Sequence, residues 1–162
     1  MIWPAIGAGL GLVMGSFIAL LTWRLPQGLP ITGRSRCDGC GAQLGVAELV
    51  PLLSYLVQRG RCRQCGMAIA PRHLAIELAA AAIGAALLWR LPGPDGLITT
   101  LAGWWLLALI VLDAEHFWLP DALTLPLLPL ALLIPGPALA EKLWGAALGF
   151  GALWLVGWAY RA

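Results

Sequence analysis

The sequence predicts an all-α integral membrane protein, with about five membrane helices and a small four-cysteine module between the first two. Three observations carry this. Of 162 residues, 60% are hydrophobic and only 11% charged, less charge than a soluble domain of this length carries. Several uncharged runs approach the length that crosses a bilayer. All four cysteines fall in one polar stretch, as two C-x-x-C pairs. The lipid bilayer is therefore an expected partner, and nucleic acid is not.

Residues 1–23 form the first expected span, Ile2–Trp23, with 22 uncharged residues. A signal peptide would need a basic flank before the run and a small-residue cleavage site after it. Neither is present, so the run reads as a retained helix. Its Gly7, Gly9, Gly11 and Gly15 suit close helix packing in a membrane. Residues 24–73 form the polar cysteine module. Residues 74–162 hold the remaining expected spans: Leu74–Trp89, Leu97–Leu112, Ala122–Ile134 and Leu143–Tyr160. The fourth is short and carries Pro126 and Pro129, so it should tilt, kink or shelter among neighbours. Pro92–Gly96 and Pro135–Pro137 are breaker-rich connections that make helical hairpins.

Basic residues set the expected orientation. Seven of the ten Lys and Arg lie between the first two spans: Arg24, Arg34, Arg36, Arg59, Arg61, Arg63 and Arg72. The positive-inside rule places that stretch in the cytoplasm and the N-terminus outside. Counting onward puts Asp113–Asp121 inside, on the side of the cysteines, and Arg161 inside too. Arg90 and Lys142 fall outside and weaken the pattern slightly.

The cysteines read Arg36–Cys37–Asp38–Gly39–Cys40–Gly41 and Arg61–Cys62–Arg63–Gln64–Cys65–Gly66, an internal R-C-x-x-C-G repeat. Two thiolates spaced this way grip one metal ion from a single turn, and the glycine lets backbone N–H groups approach the sulfurs. Two such turns supply a four-sulfur site, for which zinc is the usual occupant and iron the lesser one. Cys37, Cys40, Cys62 and Cys65 are thus expected ligands of a structural Zn²⁺. Disulfides or redox pairs are the alternatives, and a reducing cytoplasm disfavours the first. Between the pairs, Glu48–Leu56 is apolar enough to pack on the knuckle or lie at the membrane interface.

The stretch Leu112–Asp121 places Asp113, Glu115, Asp121 and His116 between two apolar runs. Acids at the end of a membrane span are functional candidates by default. Asp113 is the leading one. Asp121, after Leu119–Pro120 and before an apolar run, reads as a helix N-cap with a lesser claim on a site role. His116, beside Phe117 and Trp118, reads as interfacial. Glu77 is expected in the first turn of the second span, where the helix dipole favours a negative charge.

These residues resemble the prepilin peptidases, bacterial membrane aspartic proteases that process type IV pilins and type II secretion pseudopilins. Four blocks carry the likeness: Gly15–Ser16–Phe17 leading to Trp23–Arg24–Leu25–Pro26; Arg34 to Gly66; Ile69 to Glu77; and Asp113 to Thr124 with Leu125–Pro126. The resemblance implies cleavage of a short basic leader at the cytoplasmic face of the bacterial inner membrane. In many members the new N-terminus is then methylated from S-adenosylmethionine. No G-x-G-x-x-G signature marks a site for that cofactor here, and Glu77 is a weak candidate contact. Asp113 matches the family's first catalytic aspartate. The second belongs to a G-x-G-D motif, which the 162 residues do not contain. The expectation is a chain that stops before that motif and does not cleave alone. A leader-binding module without catalysis and a membrane thiol–disulfide oxidoreductase are the competing readings.

Overall fold

The computed structural model describes residues 2–159. Within them α1 spans Ile2–Arg24, α2 Leu53–Val57, α3 Pro71–Arg90, α4 Pro94–His116, α5 Asp121–Thr124, α6 Leu127–Leu133 and α7 Leu139–Ala159. The described residues contain two isolated β-bridges and no strand, in line with an all-α chain. Four helices, α1, α3, α4 and α7, are long and apolar enough to cross a membrane. The expected end of the fifth span at Tyr160, and the inner placement of Arg161, fall outside the described residues.

The fourth expected span, Ala122–Ile134, is not one helix. It is α5 and α6, of four and seven residues, broken at Leu125–Pro126. Proline lacks the N–H that a continuing helix would need. Pro129 falls in the first turn of α6, where that loss is tolerated. Even end to end, Asp121–Leu133 would rise only about 20 Å, short of a hydrocarbon core of about 30 Å.

The tightest packing joins α1 to α3. A Cβ on Gly7 would lie 2.2 Å from the Gly84 carbonyl oxygen, one on Gly11 2.4 Å from that of Ala80, and one on Gly15 2.5 Å from the Glu77 Cα. The pairing runs down α1 and up α3, so the helices are antiparallel, and glycines four apart make the groove. Gly9 faces open space and takes no part. Helix α4 closes the third side. Ile18, Ala19, Ile76, Ala80, Trp104 and Ala108 form the core, and Trp104 Nε1 donates to the Ala80 oxygen at 2.8 Å. A Gly11→Leu substitution should force the helices apart and cost about 2–3 kcal/mol or more. Gly9→Leu should stay within about 0.5 kcal/mol of the parent. Thermal unfolding of the two variants in detergent checks the contrast, and equal losses would contradict this packing.

Candidate functional site

The cysteine repeat folds as two copies of one turn. Cys37 N–H donates to Ala42 at 2.9 Å, and Cys62 N–H to Met67 at 2.8 Å. Gly41 N–H returns to Cys37 and Gly66 N–H to Cys62, both at 2.9 Å. Ser35 pairs with Leu44 as Gly60 does with Ile69. Each closing glycine has a left-handed φ, 70° at Gly41 and 72° at Gly66, which a side chain would resist. Each bond of the first turn thus has its counterpart 25 positions later in the sequence.

The two turns bring all four Sγ atoms within 4.8 Å of one another, with Cys37 and Cys65 3.7 Å apart. A tetrahedral ion with Zn–S bonds of about 2.3 Å needs sulfurs about 3.8 Å apart. The four soft donors therefore fit such an ion after slight contraction. All four are free thiols, and Cys62 is buried. The Cys40 N–H, then that of Gly39, hold the Cys37 thiol down to about 7. At Cys65 the Met67 N–H favours the thiolate. Desolvation and the Cys40, Cys62 and Cys37 sulfurs outweigh it and push the group up to about 11. Without a cation, the cluster does not hold four negative charges at neutral pH.

Glu77 does not sit in the first turn of its helix. Helix α3 starts at Pro71, so Glu77 lies one turn further in and the dipole argument lapses. It is 7% exposed, and its Oε2 accepts the Leu52 N–H at 2.8 Å. Leu52 has φ 61° and ψ −51°, with Leu53 N–H returning to the Pro51 oxygen at 2.6 Å. That is a γ-turn of the strained hand. A buried carboxylate on α3 thus pins a strained turn of the module. Around this contact lies a cavity of about 440 Å³, with Ser16, Arg24, Cys37, Tyr55, His73 and Glu77 among its walls. The His73 Nδ1 is buried without a partner among the described residues.

Helix α4 runs past its expected end and carries Asp113, Glu115 and His116 in its last turns. Phe117, with φ 48°, caps it by donating its N–H to the Asp113 carbonyl at 2.9 Å. The Asp113 side chain is exposed and has no hydrogen-bond partner among the described residues. Asp121 is not an N-cap: Pro120 holds that position, and the Asp121 carboxylate makes no capping bond. Glu115, one of the acidic candidates of that stretch, pairs with Arg72, a basic residue of the expected polar module. Arg72 Nε and Nη2 donate to the two Glu115 oxygens at 2.5 and 2.7 Å. Arg72 also donates to the Ala19 carbonyl and Thr22 Oγ1. The C-terminal ends of α1 and α4 therefore meet the N-terminal end of α3. The cysteine module and Asp113 lie at one end of the bundle. His116 Nε2 stands 3.9 Å from Glu115 and is otherwise exposed.

Apolar helices, and four clustered thiols that could hold a metal ion, with the exposed Asp113 at the same end of the bundle, give the outline of a multi-pass membrane protein. Residues 10–91 match the family described as Bacterial Peptidase A24 N-terminal domain, and residues 100–162 match the Type IV leader peptidase family. The chain belongs to the first of these, the Bacterial Peptidase A24 N-terminal domain family. Among similar proteins is the prepilin leader peptidase/N-methyltransferase of Stutzerimonas stutzeri, 34% identical over 94% of this chain and 63% of the relative. That of Pseudomonas aeruginosa is 33% identical over 94% of this chain and 62% of the relative. That of Dichelobacter nodosus is 39% identical over 78% of this chain and 46% of the relative. The chain thus spans at most 63% of the length of these relatives. No solved structure matches.

Proposed function

We propose that this chain belongs to a prepilin leader peptidase that cuts prepilins or type II secretion pseudopilins at the cytoplasmic face of the bacterial inner membrane. The observation that carries the reading is the exposed Asp113 carboxylate, without a partner among the described residues, at the bundle end that also holds the cysteine module. The concentration of arginines in that module supports a cytoplasmic position for both, with the N-terminus outside. Helices α1, α3, α4 and α7 are the proposed spans, and the broken α5–α6 segment lies against α4 through the Trp105 bond to Leu123. The Cys37, Cys40, Cys62 and Cys65 site holds Zn²⁺ as a structural ion, which supplies cohesion to the module and no chemistry to the cleavage.

Asp113 is one carboxylate of the aspartic dyad. Glu115 is engaged by Arg72, and Asp121, without a partner among the described residues, lies outside the family's G-x-G-D pattern. The 162 residues contain no G-x-G-D, so they do not by themselves name the second carboxylate of that pattern. A second reaction, N-methylation from S-adenosylmethionine, fits the cavity over Glu77, whose volume is within the usual range for small-ligand sites.

The test uses a peptide containing a basic leader and the apolar residues that follow it, read by mass spectrometry. Membranes carrying the 162 residues should bind it without cutting, and cutting should follow when a segment bearing G-x-G-D is supplied. Cutting by the 162 residues alone would remove the need for the second motif. No binding under either condition would overturn the leader-peptidase reading. Isotopic methyl transfer to the new N-terminus, weakened by Glu77→Gln, tests the second reaction.

A further inference from the structure

Two charges in this molecule sit where their own helices oppose them. Arg72 is the second residue of α3, and Glu115 is the second-last of α4. A cation at a helix N-terminus and an anion at a C-terminus each oppose the macrodipole. Neither placement is explained within its own helix. Both are explained by the other: the guanidinium meets the carboxylate as a two-toothed fork across 43 positions of sequence.

The rest of the guanidinium is equally committed. Nη1 donates to the Ala19 carbonyl at 2.9 Å and Nη2 to Thr22 Oγ1 at 2.6 Å. Thr22 is fully buried and spends its own proton on the Ile18 carbonyl at 2.8 Å, so its oxygen is free to accept from Arg72. The Arg72 side chain is only 18% exposed. A planar group with its donors fixed on α1 has little freedom left, so it holds Glu115 at a set place and direction.

What Glu115 holds in turn is the last turn of α4. Asp113 lies two residues before it, and the Asp113 carbonyl is the acceptor that closes the helix on Phe117. We propose that Arg72 is a positioning residue: through Glu115 it fixes the end of α4, and with it the Asp113 carboxylate, against α1 and α3. The kinetic part of this rests on the leader-cleavage reading above; the structural part does not. A reacting group misplaced by about 1 Å can lose about 100-fold in rate, so the clamp should act on turnover more than on substrate binding.

The experiment compares R72Q, R72K, E115Q and R72Q/E115Q in membranes carrying the 162 residues with a segment bearing G-x-G-D, where the parent cuts. Each Gln variant should lower kcat for leader cleavage by about 10- to 100-fold with KM within about twofold. The double variant should be no more than about threefold worse than the poorer single one, because the two residues act as a unit. R72K, keeping charge without the fork, should fall between. Unchanged kcat in both singles, losses that multiply, or a raised KM with kcat intact would each overturn the proposal. Should R72Q fail to accumulate, E115Q decides, since it leaves the Arg72 bonds to α1 in place. Amide exchange over Leu112–Phe117 supplies a readout that needs no activity. Faster exchange at Phe117 in E115Q supports the clamp, and parental protection overturns it. If the parent cleaves no leader even with a segment bearing G-x-G-D supplied, the kinetic comparison and the functional reading fall together, and amide exchange still settles the clamp.

Discussion

Removing the metal, or replacing Cys62 by serine, is expected to dissolve the module between α1 and α3. The purified protein should carry close to one equivalent of zinc and bury its thiols from reagents until a chelator is added. In Cys62→Ser the metal should fall to a small fraction of an equivalent. The reason is scale. Structural zinc contributes roughly 10–16 kcal/mol of apparent binding free energy, while the described elements between Gln27 and Pro71 are one three-residue turn of helix and the five-residue α2. So little regular structure has no other source of cohesion of that size. Acid should act in the same direction as chelation. Thiolates bind the metal, so falling pH favours protons over zinc. Cys37, held near 7, gives up its proton readily, whereas Cys65, pushed up to about 11, must be deprotonated by the metal itself. Zinc affinity should therefore keep falling from alkaline through neutral pH, without a plateau. Metal analysis across pH, with thiol titration alongside, reads this directly. Absence of tightly bound metal together with a reversible disulfide would instead favour the oxidoreductase reading.

The module was legible in sequence because its signal is local. Two R-C-x-x-C-G turns carry their own glycines and need only to meet. The long helices were legible for the same reason: Ile2–Trp23 and Leu97–Leu112 announce themselves by uninterrupted apolar character. Ala122–Ile134 has that character too, but Pro126 removes the N–H that would join α5 to α6, and hydropathy alone does not register a lost hydrogen bond. Asp121 reads as a cap from sequence, but Pro120, with its extended φ and ψ, fills that place and offers its carbonyl to Leu123 and Thr124. What sequence could not show is contact over distance. Nothing near Arg72 names Glu115, and nothing near Leu52 names Glu77. The one available hint was electrostatic: a cation at the start of a helix and an anion at the end of another are each unfavourable alone. Such misplaced charges are a reason to look for a tertiary partner before assigning them to a solvated loop.

Asp113→Asn is expected to abolish leader cleavage, by roughly 1,000-fold or more, equivalent to about 4 kcal/mol in the barrier. Aspartic proteolysis needs two carboxylates sharing a proton, one drawing a proton from the attacking water while the other donates to the carbonyl oxygen. An amide does neither job. The substitution is nearly isosteric, and the Asp113 side chain is exposed with no hydrogen bond to lose among the described residues. The fold should therefore stay within about 0.5 kcal/mol of the parent, which separates lost chemistry from lost structure. Asp121→Asn gives the contrast. That carboxylate opens the four-residue α5 without capping it, so the change should cost only a few tenths of a kcal/mol through the helix dipole. If Asp121 is not part of the dyad, its variant should keep cleavage within a few-fold of the parent. Cleavage assays on both variants, in membranes where the parent cuts, decide between them. Parental activity in Asp113→Asn would remove it from the dyad. A loss in Asp121→Asn as deep as that expected for Asp113 would make the Asp113–Asp121 pair, rather than Asp113 with a G-x-G-D aspartate, the reacting centre.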